Sequence, residues 1–314
     1  MSESRTQLTE MADGLFAELR GHGFDAIWPR LEEAGFGLLL LPEANGGFGG
    51  DFGDLAAVMR LAGFHALAAP LGEHILTQWL LSKGGLAGEG FTALAGGLST
   101  PVPWGRHASK VLVPVGGELF LASGAVTEGA SPVGESRDTI VFDMDSAESL
   151  DIEADPLGLI AFLRVCQTAG TLDAALALAV DYCSQRVQFG RTLSQFQAVQ
   201  HSIALLASEA AAVNCAATGV AEAIDRGDAA FEIAAAKLRT NTAIKTGCAL
   251  AHQVHGAIGF TQEYPLNELT RRMMGWRSEG GNDSYWSARI GGQAIAWGSE
   301  GLWEELTRRT DPRS

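Results

Sequence analysis

From residue 157 onward the hydrophobic residues keep helical time. Ile203, Leu206, Ala210, Val213, Ala217, Val220 and Ile224 alternate steps of three and four, one stripe of a long helix. Asp225 to Asp228 closes that helix, and an alanine-rich stretch from Ala229 to about Val254 begins the next; small side chains predict close helix–helix approach. Helices over about 158–186, 195–225, 229–254 and 285–308, with a short one begun by Pro265, are expected. Long antiparallel helices with short links make a four-helix bundle.

The bundle is preceded by two different textures. Residues 1–88 read as helices with short loops: Leu8 to Leu19, Ile27 to Ala34 stopped by Gly35, Asp54 to Leu61, and His74 to Leu81. Residues 89–156 lose helical periodicity and gain Gly, Pro and Val. Lys110 to Val115, Glu118 to Leu121 and Thr139 to Asp143 read as short strands. So small a β segment cannot bury both its faces and must pack on helices. The expected organisation is mainly α with a small β domain: an N-terminal helical domain (1–88), a reduced β domain (89–156) and a C-terminal helical bundle (157–314).

A chain of 314 residues, 46% hydrophobic and 19% charged, buries a sizeable core. A net charge of -15 argues against a nucleic-acid partner, though local arginines can still hold an anionic ligand. Cys166, Cys183, Cys215 and Cys248 have no metal-type spacing, so no metal site is expected, and all four read as small buried residues of a reducing compartment. Residues 1–20 are polar and mixed in charge, and the longest uninterrupted apolar run is Phe36 to Pro42. No membrane span and a cytoplasmic location are expected.

Two segments interrupt the helical patterns. One reads Arg186-Val187-Gln188-Phe189-Gly190, then Leu193, Phe196-Gln197 and Gln200-His201; the other reads Gln253-Val254-His255-Gly256-Ala257-Ile258-Gly259-Phe260. Each puts an amide or guanidinium beside glycines, where backbone can approach a diphosphate. With Tyr182, Ala235-Ala236-Lys237, Thr261, Tyr264-Pro265-Leu266, Leu269 and Arg271, these positions resemble the acyl-CoA dehydrogenase family. Trp28, Leu31, Gly35, Pro42-Glu43, Gly46-Gly47-Phe48-Gly49-Gly50, Pro70-Leu71 and Leu80-Leu81 extend the resemblance to the N-terminal part. The Gly46–Gly50 run lacks the Lys-Ser/Thr tail of a phosphate loop and reads as a tight turn.

The resemblance implies FAD as cofactor, contacted by Arg186, Gln188, Phe189, Gly190, Leu193, Gln197, Gln253, His255 and Gly256. Several of these residues have plainer readings. Arg186 is a favourable cation at a helix C-terminus, Gly256 a helix stop, His255 a polar core residue. Ser194 to Gln197 spells a capping box with Ser194 as N-cap. The resemblance also implies a catalytic carboxylate, which removes the α proton of an acyl-CoA thioester while hydride leaves the β carbon. Glu279, followed by Gly280, is the candidate, one residue early in the family's register and without the usual Thr. Asp283 or Ser284 reads as the cap of the final helix. The base position used by some relatives, Ile160 to Arg164, carries no carboxylate.

One family element is missing. The Thr-Glu-Pro…Gly-Ser-Asp element that holds the flavin ring has no counterpart in residues 90–110. Shortened members of the family occur as one half of heteromeric dehydrogenases acting on bulky thioesters such as steroid side chains. The implied function is therefore flavin-dependent α,β-dehydrogenation of an acyl-CoA by one subunit of a heterotetramer in lipid or steroid degradation. A longer acyl-CoA dehydrogenase-like subunit is its partner, and electron-transfer flavoprotein or a similar acceptor takes the electrons. The alternative is a non-catalytic structural subunit that completes the partner's FAD site. The sequence leaves both open.

Overall fold

The computed structural model describes residues 3–88 and 90–310. Four helices come first: α1 (Glu3–Leu19), α2 (Phe24–Glu33), α3 (Phe52–Phe64) and α4 (Leu71–Lys83). Asp51 opens α3 with a reciprocal capping box to Asp54. The Gly46–Gly50 run forms the turn before α3: Gly46 is left-handed, and a Cβ on Gly47 would collide with the Leu41 carbonyl.

The strands are β1 (Thr92–Leu94), β2 (Val102–Pro103), β3 (Lys110–Val115), β4 (Glu118–Ala122), β5 (Gly124–Thr127), β6 (Arg137–Phe142) and β7 (Glu148–Leu150). They form two small sheets, ordered β1-β3-β4-β7 and β2-β6-β5, with only β1 and β3 parallel. Val111, Leu112 and Val113 bury against the helical core. Asp138 is fully buried in the second sheet. Its carboxylate accepts from the Arg106 guanidinium, the Ser136 hydroxyl and the Arg106 and Gly129 amides. Burial opposes its ionisation, yet those bonds hold it well below the usual carboxylate range.

The bundle comprises α5 (Pro156–Gln185), α6 (Gln197–Arg226), α7 (Ala230–His255), α8 (Pro265–Trp276) and α9 (Asp283–Thr310). Asp155 caps α5 by accepting from Gly158 N, with Pro156 in the first turn. The α5 helix is buried on nearly every side. Two boundary readings change. Ser194 lies in a 3-10 turn (Leu193–Gln195), its hydroxyl against Thr192, and α6 starts after Phe196 without a side-chain cap. The carboxamide of Asn282 accepts from Tyr285 N at the start of α9; Asp283 bonds Asn241 and Arg277 instead. Cys215 is exposed, unlike the other three cysteines.

Uninterrupted apolar runs also understated two helices. Both α5 and α6 are long and apolar enough, by length and composition, to cross a membrane. In α5 that window is 89% buried within the protein, as a core helix requires; in α6 it is 28% buried. The outer side of α6, at Ala204, Leu205, Ser208, Ala211 and Cys215, is exposed and uncharged.

The α3 and α5 helices meet through glycines. A methyl group on Gly170 would strike the Arg60 carbonyl, and one on Gly63 the Gln167 carbonyl. Helix propensity favours Gly170→Ala by about 1 kcal/mol. Separating two backbones costs about 1–3 kcal/mol or more, and sterics win. Urea denaturation of Gly170→Ala is expected to show a net loss of stability; a gain would contradict so close a crossing.

Candidate functional site

The α5 and α7 helices pack directly on each other and run parallel, with Gly158 beside Ile233 near one end and Tyr182 stacked on His255 near the other, so their C-terminal ends lie side by side. There the two interrupting segments meet. After α5 the chain forms a hairpin, β8 (Val187–Gln188) and β9 (Arg191–Thr192), with Phe189 and Gly190 at its tip. Both tip residues have positive φ, 51° and 78°, as a two-residue primed turn needs. A bulky residue in that conformation is strained by about 1–2 kcal/mol, and this one is also 93% exposed. The α7 helix ends at Gly256, whose φ of 64° and ψ of -143° suit glycine alone.

Arg186, Gln188, Leu193, Gln253, His255 and Gly256 line one open groove of about 370 Å³. Phe189 stands outside it, edge-on to Phe196 with centroids 6.3 Å apart. Gly190 and Gln197 are exposed and do not line it. Arg186 is exposed, with no acidic partner for its guanidinium among the described residues. His255 is buried and stacks on Tyr182 at 4.9 Å. Its Nδ1 lies 2.7 Å from the Ala251 carbonyl and so carries the proton. Burial lowers its pKa, leaving a neutral ring under the groove.

A second and larger cavity, about 680 Å³, lies where the β segment meets the bundle. Pro101, Pro103, Leu157, Ile160 and Met274 give it apolar walls, and Glu279 lies at its polar end. The Glu279 carboxylate is fully engaged by arginines. Arg137 Nε donates to Oε1 at 2.8 Å and Arg164 Nε to Oε2 at 2.7 Å. Burial alone would push this carboxyl up; the Arg164 and Arg137 guanidiniums outweigh it and hold it at about 2.

The two arginines extend the pairing. Arg164, buried in the N-terminal third of α5, also donates to Glu73 of α4 at 2.5 Å and to Gln167 at 2.7 Å. Arg137 reaches Glu135 at 3.4 Å, and Glu135 lies 2.5 Å from Arg272 of α8 without hydrogen-bond alignment. The result is a ladder of alternating charge, Glu73–Arg164–Glu279–Arg137–Glu135–Arg272, that crosses the N-terminal helices, the β segment and the bundle. Of its members only Glu279 sits in a recognisable sequence motif. Arg164 stands out in the sequence only as the lone charge between Pro156 and Leu172. Arg137 and Arg272 had no local signal.

The layer order, with helices, a small β segment and a long-helix bundle carrying a groove at its edge, is the fold of acyl-CoA dehydrogenases. The chain superposes on a variant of the Tcur3481-Tcur3483 steroid ACAD with a TM-score of 0.83 at 23% identity, covering 95% of this chain and 99% of that one. It superposes on the ChsE4-ChsE5 complex from Mycobacterium tuberculosis with a TM-score of 0.80 at 20% identity, covering 94% and 98%. Residues 156–295 match the model for "Acyl-CoA dehydrogenase, C-terminal domain". Among curated relatives it is 27% identical to acyl-CoA dehydrogenase IpdE2 of Mycobacterium tuberculosis (strain ATCC 25618 / H37Rv), over 87% of this chain and 92% of that one. It is 28% identical to acryloyl-CoA reductase (NADH) of Anaerotignum propionicum, over 77% of this chain but 62% of the relative.

Proposed function

We propose that this chain is one subunit of a heteromeric, FAD-dependent acyl-CoA dehydrogenase, and that it builds the cofactor's surroundings while a longer partner subunit removes the α proton. The observation that carries this reading is the gathering of Arg186, Gln188, Gln253 and Gly256 around one groove. These residues fit a dinucleotide tail. Arg186 offers an uncommitted planar cation to diphosphate oxygens. A Cβ on Gly256 would meet nothing within 4 Å, so the space before its backbone is open. Neutral His255 adds no charge below. When bound, the flavin supplies the hydride acceptor; this chain orients its tail. The missing ring-binding element and the two-chain names of both structural relatives support a partner. The steroid in one relative's name, and the cavity's 680 Å³, favour a bulky acyl group.

In this reading Glu279 is not the base. A general base works best with a pKa near the operating pH, and Glu279 is held at about 2 with each oxygen bonded to a guanidinium. Its carboxylate serves the ladder. Glu279→Gln, assembled with the partner subunit, is therefore expected to keep turnover per complex within about threefold, well short of the factor of 10²–10⁴ lost with a true general base. A collapse of turnover with the flavin still bound would return Glu279 to the base position.

A further inference from the structure

Residues 277–282, between α8 and α9, supply Ser278, Glu279, Gly280, Gly281 and Asn282 to the large cavity. On its inner side the loop is pressed onto α5: a Cβ on Gly280 would lie 2.5 Å from Ala161 N. The Gly280 carbonyl also accepts from Trp286 Nε1 at 2.8 Å. Behind the loop stands α7, with Lys237 and Asn241 one turn apart and both buried. Lys237 Nζ donates to Trp276 O and Asn241 Oδ1, each at 2.8 Å, and to Arg277 O at 3.4 Å. Asn241 Nδ2 donates to Arg277 O at 3.1 Å and Asp283 Oδ1 at 2.7 Å. The Trp276 and Arg277 carbonyls lie where α8 runs out of intrahelical donors, and a cation is favourable there. A buried ammonium is costly unless its donors are all used; here three acceptors take three protons.

We infer that Lys237 and Asn241 are positioning residues: they touch nothing in the cavity, and they fix the height of the Glu279 loop above it and thereby the cavity's shape. Which ligand fills that cavity rests on the function proposed above; the post itself does not. Burial, then Arg164 and Arg277, pull the Lys237 ammonium down to about 7, against the attraction of Glu279 and Asp283. Its protonation is therefore readable near neutral pH, at the Trp276 carbonyl it bonds.

The test uses the full chain alone, labelled with 5-fluorotryptophan, and its amide hydrogen exchange. The wild-type Trp276 fluorine resonance is expected to titrate with a midpoint near pH 7, and Lys237→Met to abolish that titration. The same variant is expected to speed exchange of the 276–282 amides about tenfold or more relative to those of α5 and α6, because the Trp276 carbonyl loses its side-chain donor and the Arg277 carbonyl keeps only Asn241. Should Lys237→Met not fold, Asn241→Ser decides: faster exchange confined to the loop supports the post. Uniform acceleration across the bundle, or none, overturns it for either variant. Turnover of the assembled complex is measured separately, so a chain with an intact post but no acyl-CoA activity would sink only the functional proposal.

Discussion

Arg164→Met is expected to destabilise the chain by about 3–5 kcal/mol, the largest effect of any single substitution considered. The side chain is 2% exposed and joins Glu73, Gln167 and Glu279. Met keeps the aliphatic stem and drops the guanidinium, so most of the loss is electrostatic. Removing one partner of a buried pair strands the other charge; here Glu73 loses its arginine and Glu279 keeps only one of its two, Arg137. Chemical denaturation measures the loss; a change below about 1 kcal/mol would mean the ladder is solvated and of little consequence. The pH dependence has a definite sign. Glu279 is depressed from 4.5 to about 2, so its contribution is complete above pH 4.5 and is lost as pH falls toward 2. Without Arg164 the carboxyl rises, and acid unfolding of the variant should begin at a higher pH than in the wild type.

Arg186→Ala should do the opposite: leave the fold alone and release the cofactor. The residue is exposed just past α5 and carries no internal ion pair among the described residues, so its effect on stability should stay within about 0.5 kcal/mol. A charge-assisted bond to a diphosphate oxygen is worth about 1.5–3 kcal/mol, about 10- to 150-fold in affinity. The assembled complex carrying Arg186→Ala should lose its flavin absorbance on dialysis while the wild type keeps it; Arg186→Lys should recover part of the loss, keeping the charge but not the fork. Unchanged flavin retention would show that the groove does not hold the dinucleotide.

Some of this was legible in the residues and some was not, for physical reasons. The long helices came through because their stripes persist over many turns; α6 was expected over about 195–225 and spans Gln197–Arg226. Six of the nine expected cofactor residues meet in one groove because they cluster at two helix ends that bundle topology makes neighbours. The Ser194 cap failed because an extra 3-10 turn separates that serine from α6, and a spacing rule cannot see a turn inserted before the helix. Strands β1, β2 and β7 escaped because two or three residues carry no periodicity. The ladder escaped for a deeper reason. Its bonded pairs span as many as 142 residues of sequence, and no one-dimensional pattern announces that distant opposite charges will be desolvated together.

That ladder has an evolutionary consequence. Each rung is balanced by its neighbours, so a lone charge reversal anywhere from Glu73 to Arg272 leaves an opposite sign marooned in a dry interior. Drift along it must go by compensated double steps, or by wholesale replacement with apolar residues of like volume. Homologues that differ at one rung should differ at the next.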